Sequence, residues 1–491
     1  MKTGRSNGSL GVLLLGTFLI AAATNAFPAG LNCARAQHLP DTAICANRDL
    51  LDRDIRMSAD YRRLQAASPG KHDAIRQAQM QWLQARDRCG ADVDCLMSAY
   101  DQRIATLQSQ FHDRVAYQPD DVDRQALEDL RERVDTMRKT DPVFPLEKVI
   151  DRWRIKTGMT TFSNVKDGDG PEDIAHFPTK RPSGVTADEW RALRASNIEG
   201  GGDEGHASYT LMKMDGDAQR ELVIDSYMGG TGDFTYTSVL RRQGGKFVGP
   251  YTSLQTPGDV PASEISTAED GDPAQSYLYS INGRGANQSG DWIQLRGRVY
   301  AAYRVSYYGE DNVYLLRPLS IVGQAPKLTV RYRYQLSVPK TQKSDDSGTD
   351  EALDPAMRSG IMQALDKVGS EPTNDTGNET KPLCPIPDTV KGDDRQEYYA
   401  MGPAQYVVEV VANVPVWAGH QCYVGQVTDS FGAYDSKDGL YAQIRLHKPG
   451  APEIHQPGVP ENGDQTYSID GTRTAVGTET TISKVEGDNG A

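Results

Sequence analysis

Six cysteines carry the clearest chemistry in the chain: Cys33, Cys45, Cys89, Cys95, Cys384 and Cys422. In a chain that opens with an export signal, an even number of cysteines points to disulfides. Four cluster near the front and two lie far downstream, which favours two bridges in front and one behind, with Cys384 stapled to Cys422. Zinc ligation would need a C-x-x-C pair or His residues at ligand spacing, and the sequence has neither. The segment Lys213-Met214-Asp215-Gly216-Asp217-Ala218-Gln219-Arg220-Glu221 resembles a degraded calcium turn, with Asp215, Asp217 and Glu221 as oxygen donors. Lys213 occupies the first acidic position and Ala218 the usual glycine position, so a plain hairpin turn is the better reading. Acid–base chemistry has few candidates. Gly200 to His206 joins two carboxylates to an imidazole but reads as a domain boundary, and His206 and His420 read as surface histidines. Gly229-Gly230-Thr231-Gly232-Asp233 leads into a strand rather than a helix, so it offers no phosphate site. There is no H-E-x-x-H and no G-x-S-x-G elbow. No catalytic residue, metal or cofactor is expected, and the chain reads as non-enzymatic.

The elements that position these residues follow from hydrophobic period. Lys2 and Arg5 precede an apolar run from Leu10 to Ala23, which ends in small residues at Thr24-Asn25-Ala26. That is the pattern of a cleaved secretory signal over residues 1–26, and the run is shorter than the roughly 20 residues of a membrane span. Helical spacing then runs from Asp41 to Leu64, His72 to Arg88 and Asp92 to His112, giving a small hairpin with a stapled bend. Its core is marginal at this size, so cross-links make physical sense. Two further helices, Val122 to Lys139 and Leu146 to Lys156, and a capping box at Thr186-Ala187-Asp188-Glu189 form a helical connector.

After Gly200-Gly201-Gly202 the period becomes two. Strand patterns fall at Ser208–Met214, Glu221–Tyr227, Phe234–Arg242, Tyr277–Ile281, Trp292–Arg296, Val299–Tyr308, Val313–Leu316 and Leu328–Val338. Later ones fall at Tyr406–Val416, Cys422–Asp429 and Leu440–His447. The expected fold is a multidomain α+β chain, in which a disulfide-linked helical hairpin domain is followed by antiparallel all-β domains and a disordered tail. The divisions are 1–26 signal, 27–117 helical domain, 118–200 helical connector, 201–340 β domain, 341–383 linker with at most one helix, 384–448 small β module, and 449–491 disordered tail. Tyr300, Tyr303, Tyr307, Tyr308, Tyr332 and Tyr334 crowd the β domain, where such side chains serve either a binding surface or strand packing.

Charge narrows the partners. With 53 Lys and Arg against 67 Asp and Glu the net charge is -14, which disfavours nucleic acid and suits cationic partners. Residues 27–117 are almost neutral, with twelve basic against eleven acidic side chains. The acidity therefore lies in the later domains.

The helical region carries a longer pattern: Cys33, Ile44-Cys45, Leu51-Asp52, Tyr61, then Gln79-x-x-Trp82-Leu83-x-x-Arg86-Asp87-x-Cys89, Cys95-Leu96 and Tyr100-x-x-Arg103-Ile104. Over residues 31–111 it resembles the LprI-type lysozyme-inhibitor family of exported bacterial proteins. The resemblance implies a helical, disulfide-linked module in the periplasm or outside the cell, and a protein partner of the cationic lysozyme kind. Gln79, Trp82 and Arg86 share one helical face on which Trp82 is expected in the core, and Arg86, Asp87 and Arg103 are placed to pair between helices. The signature residues Gln79, Trp82, Leu83, Arg86, Asp87, Tyr100 and Arg103 thus read as structural, and no inhibitory residue is carried over. The alternative function is an envelope- or glycan-binding scaffold without inhibition. The sequence leaves the oligomeric state open.

Overall fold

The computed structural model describes residues 31–68, 70–166, 175–196, 198, 206–216, 218–227, 234–249, 277–282, 288–343, 350–370, 381–401, 409–429, 442–451 and 464–485. The expected signal at 1–26, the glycine-rich turn at 229–233 and residues 199–205 lie outside them. The chain divides into two compact units, Met1–Leu107 and Gln108–Ala491.

In the first unit a 3-10 turn at Cys33–Arg35 leads into α1 (Leu39–Ala46), α2 (Arg48–Ala66) and α3 (His72–Arg86). A second 3-10 turn at Asp87–Cys89 precedes α4 (Val93–Val115), whose residues to Leu107 belong here. The single helix expected from Asp41 to Leu64 is in fact two. Asn47 leaves helical backbone, and its side-chain oxygen accepts from the Leu50 N–H at 3.1 Å, capping α2. Leu50, Met57 and Leu64 from α2 and Leu96, Tyr100, Ile104 and Leu107 from α4 are buried, at the three-, four- and seven-residue spacing of a helix face.

The second unit begins with α5 (Asp121–Met137) and α6 (Pro145–Trp153), followed by β1 (Thr160–Ser163) and α7 (Ala187–Ala195). Then come β2 (Ala207–Met212), β3 (Glu221–Tyr227), β4 (Phe234–Gln243), β5 (Lys246–Val248) and β6 (Tyr279–Asn282). These strands form one antiparallel sheet in the order β1-β2-β3-β4-β5, with β6 also paired to β4. The capping box at the start of α7 forms as expected: Glu189 N–H donates to the Thr186 hydroxyl and Thr186 N–H to Glu189 Oε2. Arg220 binds the same carboxylate at 2.7 Å. That bond, opposed by burial and helped by Thr186, pulls the Glu189 carboxyl down to about 2.

The chain continues through β7 (Gln288–Leu295), β8 (Arg298–Tyr307), β9 (Glu310–Leu316) and β10 (Ala325–Ser337), then a short ribbon of β11 (Thr341–Lys343) and β12 (Asp350–Ala352). Next are α8 (Pro355–Ser370), β13 (Glu409–Ala418), β14 (Gln421–Asp429), β15 (Ala442–His447) and β16 (Gln465–Ser483). The hairpin from β7 to β8 turns on Arg296-Gly297, both at positive φ, as a two-residue turn matched to strand twist demands.

Three sequence expectations give way here. The β domain at 201–340 and the module at 384–448 are not separate sheets, because their strands join in one eight-stranded sheet of order β13-β14-β15-β16-β10-β9-β8-β7. The expected linker at 341–383 contains α8, whose Met357, Ile361, Ala364, Leu365 and Val368 enter the same core as α5, α6 and both halves of that sheet. The tail expected to be disordered from 449 onward contains β16, which pairs with β15 through Gln465–Ile469 and with β10 through Asp470–Ser483.

The tail misleads because the inward face of β16 presents a cation where an apolar side chain is expected. Arg473 is fully buried: Nε donates to the Val143 carbonyl at 3.0 Å, Nη2 to Glu147 at 2.6 Å, and the guanidinium lies 3.9 Å from the centre of the Tyr332 ring. Asp311, also fully buried, lies 3.8 Å from it and accepts the hydroxyls of Ser306 and Tyr332. A buried charge of this kind is tolerable only when paired and hydrogen-bonded. Here the partners come from α6, β9 and β10, so the network anchors the last strand.

Candidate protein-binding module

The cysteines fall into three bridges: Cys33–Cys45, Cys89–Cys95 and Cys384–Cys422, with Cα separations of 5.5, 5.6 and 5.8 Å. The first ties the entry 3-10 turn to the end of α1. The second closes the bend between α3 and α4. Both bridges close short loops within the small helical unit and so restrict its unfolded chain.

Between these bridges the signature residues converge. Arg86 closes α3 with its side chain only 6% exposed. Its Nη2 donates to Asp41 of α1 at 3.0 Å and to Asp87 at 2.6 Å, and its Nη1 donates to the Tyr100 hydroxyl of α4 at 3.2 Å. Tyr100 passes the chain on, donating to Asp54 of α2 at 2.8 Å, while Asp54 also accepts the Leu31 N–H. One buried network therefore links all four helices. Burial opposes the Arg86 charge, but the bonds to Asp87 and Tyr100 outweigh it and hold the guanidinium above its ordinary pKa. Burial, reinforced by the Asp54 charge, pushes the Tyr100 phenol well up, so it acts here as a hydroxyl donor.

A second link joins α3 to α4. Arg103 donates through Nε and Nη2 to the Gln79 amide oxygen at 3.0 and 2.8 Å, and the Gln79 amide donates to the Met57 sulfur at 3.0 Å. Trp82 is half-buried rather than core, because its indole N–H reaches the Ala99 carbonyl at 3.2 Å and its ring meets Tyr100 edge-on at 5.2 Å. Leu83 is half-buried as well. The pairing expected among Arg86, Asp87 and Arg103 is only partly present: Asp87 serves Arg86, and Arg103 is taken by Gln79. Sequence reading passed over Asp41 and Asp54. The signal for Asp54 was its position on the apolar face of α2 between Leu50 and Met57, where a carboxylate needs a partner. Outward, the unit exposes Leu39 at 72%, Ile55 at 44% and Met80 at 56%.

Elsewhere the structure thins the candidates. Glu221 is buried and accepts the Met214 N–H at 2.9 Å, closing the turn once compared with a calcium loop, while Asp217 lies outside the described residues. Among the described residues no group of three or more His, Cys, Asp or Glu side chains converges as a metal site would require. Tyr300, Tyr303, Tyr332 and Tyr334 are at most 2% exposed, so these tyrosines pack the sheet, with the Tyr300 hydroxyl donating to Asp123. His206 and His420 are exposed, and His206 stacks on Tyr227 at 6.5 Å. No helix among the described residues is long and apolar enough to cross a membrane.

Helices braced by two disulfides and tied by a buried Arg–Asp–Tyr network define a small disulfide-linked helical domain. Residues 33–107 match the model of the family described as Lysozyme inhibitor LprI. Lipoprotein LprI of Mycobacterium bovis and that of Mycobacterium tuberculosis are each 31% identical over 110 residues, covering 20% of this chain and 54% of the relative. The chain spans about half the length of the curated relatives it matches. No solved structure matches it.

Proposed function

We propose that this is an exported, non-enzymatic binding protein whose helical module inhibits a cell-envelope-acting partner of the lysozyme kind. The observation that carries the reading is the family match at residues 33–107, over a region whose signature side chains build a disulfide-braced fold. Three bridges fit an oxidising compartment, and the relatives are named lipoproteins. The inward turn of Gln79, Arg86, Tyr100 and Arg103 supports a structural role for those four, and contact with the partner is assigned to the outer surface that includes Leu39, Ile55 and Met80. The module is almost neutral, so any electrostatic steering of a cationic partner comes from the acidic remainder of the chain. The test is lysozyme turnover measured against the oxidised chain and against a chain lacking residues 27–117. Inhibition by the first alone supports the reading, and equal effects of the two remove the helical module from it.

A further inference from the structure

Residues 381–401 form a strap on the β14 side of the eight-stranded sheet. Its only regular element is a 3-10 helix at Gly392–Tyr398. It folds on itself through the Leu383 N–H, which donates to the Tyr398 carbonyl at 2.8 Å. Leu383, Ile386, Val390 and Met401 pack around Cys384, Tyr398, Cys422 and Val424, and the Gln426 amide donates to the Met401 carbonyl at 3.1 Å. Besides this packing and the Gln426 bond, the strap is held by two fastenings of different chemistry. One is the Cys384–Cys422 disulfide. The other is Glu397, whose carboxylate accepts the Gly450 N–H at 2.7 Å and lies 3.6 Å from His447 Nε2 at the end of β15.

We propose that Asp464, His447 and Glu397 form a pH-sensitive latch, which releases the free side of the disulfide-tethered strap as pH rises and uncovers the Cys422–Val424 patch of β14. His447 is 13% exposed, and its Nδ1 contacts Asp464 Oδ1 at 2.8 Å. Asp464 is held in turn by Arg445, whose Nε donates to it at 2.6 Å. The charged groups around the imidazole are thus Asp464 ahead of β16, Arg445 on β15, Glu397 on the strap and Lys448 next in the chain, while its register partner on β14 is the apolar Val424.

When protonated, the ring donates through Nδ1 to Asp464, and its charge attracts the Glu397 carboxylate across the 3.6 Å to Nε2, a contact of charge rather than a hydrogen bond. When neutral, the tautomer with its proton on Nδ1 keeps Asp464 and turns a lone pair toward the Glu397 carboxylate, so that contact becomes repulsive. The Asp464 bond, opposed by burial and aided by Glu397, raises the His447 pKa. Because the folded value lies above the unfolded one near about 6.5, the latch contributes fully below that value and is lost as pH rises through the folded value.

The experiment is hydrogen–deuterium exchange of residues 381–401 in the oxidised full chain from about pH 6 to about pH 9, corrected for intrinsic exchange and referenced to β10. The expected result is a loss of protection of roughly tenfold in the strap with β10 unchanged, abolished in His447→Gln and flattened in Glu397→Gln. Glu397 is 41% exposed, so the second variant leaves the fold in place if the first does not. Strap protection independent of pH in the parent chain, or a pH step that survives both substitutions, overturns the latch.

Discussion

Replacing Arg86 by alanine separates a structural signature from a contact signature. The substitution removes the donors to Asp41, Asp87 and the Tyr100 hydroxyl at once. Breaking a fully buried charged pair costs about 3–5 kcal/mol. Asp41 is 17% exposed and Asp87 is 52% exposed, so both recover some hydration, and about 2–3 kcal/mol is the expected loss. A module of this size rarely holds more than about 3–5 kcal/mol from its core alone, so the loss is a large share of its stability. At about 1.4 kcal/mol per decade it raises the open population by roughly 30- to 150-fold. The readout is amide exchange in α2 and α4 of the oxidised full chain, with β10 as internal reference. Faster exchange in those helices, with lysozyme inhibition falling only by the fraction of molecules left unfolded, is the expected outcome. Unchanged exchange with inhibition abolished would refute the reasoning and make Arg86 a contact residue.

Two further outcomes follow from the second unit. Arg473→Met leaves Glu147 to Arg304 of β8 alone, at 3.2 Å, and takes the nearer guanidinium from the hydroxyl-bonded Asp311, so it should cost about 2–3 kcal/mol in denaturant unfolding; a loss below about 1 kcal/mol would mean the network does not anchor β16. Glu189, held down to about 2 mainly by Arg220, stabilises α7 above its unfolded value near about 4.3, and that stability is lost as pH falls toward the folded value. Acid unfolding followed by circular dichroism should therefore shift in Glu189→Gln, and superimposable acid limbs in the two proteins would contradict the assignment.

Much of this architecture was legible because period and burial agree. Strand β15 alternates buried and half-buried side chains over Ala442–His447, within the Leu440–His447 strand read from the sequence, and the Thr186–Glu189 capping box starts α7 where the sequence placed it. Legibility failed where a polar residue does the work of an apolar one. In β16 the deepest inward side chain is Arg473, flanked by threonines and glycines, so the segment looked too polar to pack, although its threonines favour extended backbone. The α8 helix was visible from its spacing, but its place in the core was not, since that depends on packing against both β10 and β13, strands far apart in the order of the sheet. In the helical module the same limitation hid Asp41 and Asp54, whose roles exist only once Arg86 and Tyr100 arrive from other helices.

The most direct test of the central claim is a titration of lysozyme activity with the oxidised chain, beside a chain in which Cys33, Cys45, Cys89 and Cys95 are all replaced by alanine. The account predicts inhibition that saturates at a fixed molar ratio and is lost in the cysteine variant while Cys384–Cys422 and the β unit stay intact. Full lysozyme activity at molar excess of the oxidised chain, across several lysozyme types, would contradict it.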